Sequence, residues 1–168
     1  LYSGARFGAA QSVSVKNGII YAAGYYNDGT NSFSAAYWQG AALTDLSPSL
    51  RSEAWDIDVT DGGDVYVVGA VHNGTNYASS YWEPGSTTAS ILIQDTQNTG
   101  NASRATGIDV VDATVYIAGY YNEARDVPVY WVDSIVFDLP VNGAVGGRAI
   151  DIYKNAETVY IAGFLVDS

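Results

Sequence analysis

A short apolar phrase that ends in glycine occurs four times along this chain of 168 residues. Its four glycines are 44 to 50 residues apart, and a tyrosine lies three residues before each of them. An alanine precedes each glycine by 14 or 15 residues, and a Tyr-Trp pair follows the first three. Markers that keep step in this way indicate an internal repeat. The copies are IYAAG at 20–24, VYVVG at 65–69, and VYIAG at 115–119 and 159–163.

The second copy illustrates the local structure that each repeat predicts. Residues 54–59, AWDIDV, alternate between apolar and acidic side chains, which is typical of a strand. Residues 65–71 form a nearly continuous apolar run, which indicates a strand buried on both faces. Residues 77–82 and 88–94 predict two more strands, separated from their neighbours by turns rich in Gly, Asn and Pro.

Four short antiparallel strands in each 44–50 residues are typical of the blade of a β-propeller. A four-stranded sheet with two apolar faces cannot bury both alone, but it can do so against copies of itself around an axis. The sequence therefore predicts an all-β, propeller-type domain over residues 1–168. Its repeats are 6–50, 51–103, 104–147 and a partial repeat at 148–168.

The repeated glycine and tryptophan each suggest a structural role. We expect the glycine where the second strand of a blade comes close to an adjacent blade. We expect the tryptophan at the end of the third strand to wedge between blades, since it has the largest apolar area. The alternative is that the tryptophans form a stacking platform for a ligand.

The fourth repeat supplies only two strands, which gives 14 strands or about three and a half blades. A half blade would expose a strand edge and an apolar face. We therefore expect the ring to be completed by further blades of the same polypeptide or by another subunit. A four-bladed ring closed by the N-terminal segment is the alternative.

The formal net charge of −11 bears on the partners of the protein. Phosphate binding depends on clustered Lys and Arg, and this chain has seven such residues in all, so we expect no nucleic-acid partner. No apolar run approaches the 18 residues of a membrane span. The chain has no cysteine and therefore no disulfide.

The sequence offers little catalytic chemistry, and we assign no catalytic residue. The single histidine, His72, lies in a predicted surface turn, and no histidine-rich metal site is possible. Asp58 and Asp109 occupy equivalent positions on the predicted innermost strands, where they could contribute to a ring of Ca²⁺ ligands. Alternatively, such aspartates pair with nearby arginines or bind turn amides. Asp56 and Asp151 are a second equivalent pair.

Two equivalent loops combine tyrosine with amide and carboxylate side chains. Aromatic planes beside such groups suit sugar recognition, because a pyranose has an apolar face and a rim of hydroxyls. Plain hairpin turns beside packed tyrosines are the alternative. The candidate ligand-binding residues are Tyr25, Tyr26, Asn27 and Asp28 in the first loop, and Tyr120, Tyr121, Asn122 and Glu123 in the second.

The pattern VYxAGYYN…AxYW resembles the repeat of bacterial secreted or lipid-anchored propellers of largely unassigned function. It is also similar to kelch blades, although Ala or Val precedes the glycine here where kelch has a second glycine. The resemblance covers essentially the whole chain. It implies a propeller fold, a tendency towards binding, and an extracellular, periplasmic or cell-surface location.

Two functional hypotheses follow. The first is a non-catalytic propeller scaffold that binds a protein or a glycan through loops at the blade edges. The second is a propeller-type carbohydrate-active hydrolase whose catalytic residues lie outside this segment.

Overall fold

The computed structural model describes residues 7–27, 33–47, 49–93 and 102–167. These residues form 14 strands in four antiparallel sheets and contain no helix. The all-β class predicted from the repeat is therefore confirmed. Within the described ranges there is accordingly no helix long and apolar enough to cross a membrane.

Each sheet is built from strands that are consecutive in the chain and lie side by side in chain order. The first sheet contains β1 (Phe7–Lys16), β2 (Ile19–Asn27), β3 (Ser34–Gln39) and β4 (Ala42–Asp45). The second contains β5 (Ser52–Val59), β6 (Val65–His72), β7 (Tyr77–Trp82) and β8 (Ser90–Ile91). The third contains β9 (Ser103–Val111), β10 (Thr114–Asn122), β11 (Asp126–Val132) and β12 (Ile135–Asp138). A final hairpin contains β13 (Gly146–Lys154) and β14 (Val159–Val166).

The fourth strand of the second repeat is much shorter than the sequence predicts. β8 spans only Ser90–Ile91 of the predicted 88–94, and the last predicted residue lies outside the described ranges.

The repeated glycine lies opposite the repeated alanine of its own sheet, and the register shifts directly beside each pair. A Cβ at Gly119 would lie 2.1 Å from the carbonyl oxygen of Arg104, which belongs to the neighbouring strand of the same sheet. The other three glycines face the same obstacle at 1.9 to 2.2 Å. The expectation of a close approach to an adjacent blade is therefore wrong. The glycine makes room for a β-bulge within its own hairpin.

Consecutive sheets pack so that the first strand of each lies across the strands of the sheet before it. Trp82 and Trp131 are fully buried in apolar clusters that span two adjacent sheets, so both lie between sheets. Their burial leaves neither ring free to act as a stacking platform. Trp38, in the first sheet, is only half-buried.

Candidate functional site

The predicted calcium ligands lie on the first strands of the second and third sheets, where they join one sheet to the next. Asp58 accepts hydrogen bonds from the backbone N–H of Val59 at 2.8 Å and, across the interface, of Val110 at 2.8 Å. Asp109 accepts from the backbone N–H of Lys154 in the final hairpin, at 2.5 Å. Each carboxylate therefore links its sheet to the next one. This arrangement is close to the alternative prediction, in which these aspartates bind amides rather than calcium.

Asp56 forms the most extensive of these links. Its carboxylate accepts from the Ser12 hydroxyl of the first sheet at 2.5 Å, from Ile57 N–H at 2.9 Å, and from Ile108 N–H of the third sheet at 2.8 Å. Burial raises the pKa of Asp56, and these three hydrogen bonds lower it by less. Among the described residues, no three His, Asp or Glu side chains are arranged to hold a metal ion.

The first predicted ligand loop is packed into its own sheet. Tyr25 makes an edge contact with the ring of Phe33, with centroids 5.1 Å apart. Tyr26 is buried and donates its hydroxyl hydrogen bond to Asp45 Oδ2 at 2.8 Å. Asn27 is also buried, and Asp28 lies outside the described residues.

The second predicted loop lies where the third sheet meets the final hairpin. The buried ring of Tyr120 lies beneath the guanidinium of Arg148, 4.3 Å from its centroid. Arg148 Nε donates to Asp126 Oδ2 at 2.5 Å, and Asn122 Nδ2 donates to Asp126 Oδ1 at 2.9 Å. Two of the predicted ligand-binding residues, Tyr120 and Asn122, therefore belong to one polar cluster between the third sheet and the final hairpin.

The other two predicted residues complete this arrangement. Glu123 is exposed, and its backbone N–H closes the turn by donating a hydrogen bond to the carbonyl oxygen of Arg125 at 3.1 Å. Burial raises the pKa of the Tyr121 hydroxyl, and the carboxylates of Asp138 and Glu123 raise it further. Tyr26 and Asp45 join the second and fourth strands of the first sheet by their hydrogen bond, and Tyr121 and Asp138 occupy the equivalent register positions of the third sheet.

An open cleft of about 590 Å³ lies between this loop and the connection from β12 to β13. We call it the third-sheet cleft. One arginine and three carboxylates lie along one part of its wall, and apolar side chains form much of the rest. Its polar residues are Glu123, Arg125, Asp126 and Asp138, and its larger apolar residues are Val127, Leu139, Pro140, Val141 and Val145.

The structure does not bring the two predicted loops into one site, because the second sheet lies between the sheets that carry them. Sequence reasoning missed Arg125, Asp126 and Asp138 as cleft residues. It considered arginines only as partners for the aspartates on the inner strands. The available signal was the basic residue directly before the repeat alanine, which is Arg104 in the third repeat and Arg148 in the fourth.

A related cluster joins the second and third sheets. The guanidinium of Arg104 lies 4.5 Å from the ring centroid of Tyr77, and that of Arg51 lies 5.6 Å away. The Tyr77 hydroxyl donates to Glu53 Oε1 at 3.0 Å, and Arg104 lies 4.0 Å from the same carboxylate. The arginine before the repeat alanine thus contacts an aromatic ring and a carboxylate at both interfaces.

No protein-family description and no curated protein matches the sequence. Among solved structures, the chain is similar to a fucose lectin from Kordia zhangzhouensis in complex with methyl-fucoside. The TM-score is 0.53 at 10% sequence identity, and the match covers 76% of this chain and 96% of the lectin chain. At this identity the likeness concerns the fold alone, and it agrees with an all-β architecture.

Proposed function

We propose that this protein is a non-catalytic, extracytoplasmic β-propeller scaffold that binds a glycan in the third-sheet cleft. The four sheets are then consecutive blades, and the cleft lies at the edge between the third blade and the partial fourth. The observation that carries the proposal is the cleft itself, which combines an arginine, three carboxylates and an apolar wall.

The repeat geometry supports the propeller. In each sheet the glycine pairs with the alanine of the first strand at the same bulge, so the four sheets share one local geometry. Each later sheet then lays its first strand across the one before it, which is how blades succeed one another around an axis.

The chemistry of the cleft supports a saccharide ligand. Carboxylates and a guanidinium bind the hydroxyls of a sugar through charge-assisted hydrogen bonds, while the apolar wall covers a C–H face. The volume falls within the range of small-molecule sites. The lectin with a similar fold binds methyl-fucoside, so a neutral sugar with an apolar methyl edge is a suitable first probe.

The test is a glycan array followed by calorimetric titration of the chain with methyl-fucoside and with the best ligands from the array. We expect saturable binding that falls about tenfold or more in both Glu123→Gln and Arg125→Ala, because each change removes charge-assisted hydrogen bonds. Glu157→Gln is the matched control, since Glu157 is an exposed glutamate in the turn between β13 and β14. It should bind as the wild type does.

Two outcomes would contradict the proposal. Binding that survives both cleft substitutions would place the ligand elsewhere on the molecule. Release of reducing sugar from the bound glycans would identify a hydrolase, which is the alternative function, and would contradict a non-catalytic scaffold.

A further inference from the structure

The first sheet exposes an apolar face that the later sheets bury. The residue three positions after the repeat alanine is isoleucine in the last three repeats, and Ile57, Ile108 and Ile152 are 4 to 5% exposed. Each packs in the apolar cluster between its sheet and the preceding one. The equivalent residue of the first sheet is Val13, which is 63% exposed.

The same comparison holds for two further positions of this face. Val15 corresponds to Val59, which is buried between the first and second sheets. Ile20 corresponds to Val115, which is buried between the second and third. Val15 and Ile20 are nevertheless exposed, at 63% and 58%. We call the surface formed by Val13, Val15 and Ile20 the leading face.

The final hairpin exposes the opposite half of the same contact. The repeat tyrosines Tyr21, Tyr66 and Tyr116 pack in the clusters that join each sheet to the next one. The fourth repeat tyrosine, Tyr160, is 54% exposed. We call the surface formed by Tyr160 and its stacked neighbour Tyr153 the trailing face.

We propose that the leading face of one copy of this chain packs on the trailing face of a second copy, head to tail. The first sheet and the final hairpin each present one half of the contact that the internal sheets make with one another, and the two halves are complementary by register. A second copy of this chain carries both halves, so a single kind of contact covers both faces. Such a contact uses two different surfaces, so it propagates until the assembly closes into a ring or extends as a filament.

A polar link supports the same register. Asp56 accepts from the backbone N–H of Ile108, three positions after the repeat alanine of the next sheet. Asp151 is the equivalent of Asp56, is exposed, and accepts from Ile152 N–H of its own strand as Asp56 does from Ile57. By register, the donor from a second copy is the backbone N–H of Val13.

The test uses one substitution on each face, followed by native mass spectrometry and sedimentation velocity. We expect wild-type chain at about 100 µM to form assemblies of at least twice its 17.8 kDa mass. Val13→Asp and Tyr160→Asp each place a charge in the contact and should each be monomeric alone. An equimolar mixture, with one variant isotopically labelled, should form a dimer of one copy each, because it retains one intact leading face and one intact trailing face.

Ile135→Asp is the matched control, because Ile135 is 65% exposed on β12 and belongs to neither face. It should assemble as the wild type does. Asp151→Ala should weaken association about tenfold by removing a hydrogen bond to a charged group. A monomeric wild type at this concentration would overturn the proposal, and so would a mixture that stays monomeric while both variants retain the wild-type circular dichroism spectrum. This test does not depend on glycan binding.

Discussion

At the scale of single residues, the repeated glycine is the most constrained position in each sheet. An added Cβ at Gly119 would meet the carbonyl oxygen of Arg104 at 2.1 Å and an edge carbon of Trp131 at 2.9 Å. Both neighbours are held in place, one by the β-bulge and the other by burial. Gly119→Ala should therefore lower the free energy of unfolding by about 1–3 kcal/mol in urea titrations.

Gly62 provides the matched control for this substitution. A Cβ there would meet its nearest atoms, in the side chains of Asp64 and Thr60, at an ordinary 3.7 Å. Gly62→Ala should therefore change the free energy of unfolding by less than about 0.5 kcal/mol. Equal losses in the two variants would contradict the close-approach explanation of the repeat glycine.

The half-buried side chain of Asp56 predicts a pH dependence of stability. Its pKa is raised in the folded protein, chiefly by burial, so the folded state holds this proton more tightly than the unfolded state. The resulting stabilisation is present below the ordinary pKa of 3.8 and is lost as the pH rises through the folded value. In urea titrations from pH 3 to pH 7, wild type should lose stability relative to Asp56→Asn.

Asp61 supplies a control of opposite sign. Its ion pair with Lys16 lowers its pKa, so its contribution to stability is present above 3.8 and is lost as the pH falls. Wild type should therefore gain stability relative to Asp61→Asn as the pH rises over the same range. The same slope for both variants would show that the environment of Asp56 does not govern its proton affinity.

At the scale of elements, the sequence predicts most strands because their apolar residues recur with a period of two and their turns recur with the repeat. β6 is predicted almost to the residue, as 65–71 against Val65–His72, since it is an apolar run between turns. The reason for the repeat glycine was missed, because a β-bulge depends on the register of two strands. Sequence periodicity reports on each strand separately.

The polar residues around the third-sheet cleft are likewise only partly predictable from the sequence. The aromatic and amide residues of the 120–123 loop were predicted from their composition, and they do lie around one cluster. The ion pair of Arg148 with Asp126 was not predicted, because it joins residues of two consecutive repeats. Contacts between sheets depend on how the sheets stack, whereas the periodic pattern of a single strand reports only which of its faces is apolar.

At the scale of the whole molecule, the packing predicts a gradient of stability along the chain. β6 and β10 each lie between two strands of their own sheet, and their sheets pack against neighbours on both sides. β14 pairs with β13 alone among the described strands, and most of its side chains are exposed. Local opening of the final hairpin should therefore need far less free energy than opening of the middle sheets.

Amide hydrogen exchange measured on dilute, monomeric chain tests this gradient. Protection should be highest in β6 and β10 and about a hundredfold lower in β14.

At concentrations where copies associate, protection of β13 and β14 should rise in the wild type and in Ile135→Asp, because the leading face of a second copy covers the hairpin. It should not rise in Val13→Asp, which lacks an intact leading face. Uniform protection along the dilute chain would mean that the final hairpin is as stable as the middle sheets without a partner, and the exposed trailing face would then need no cover.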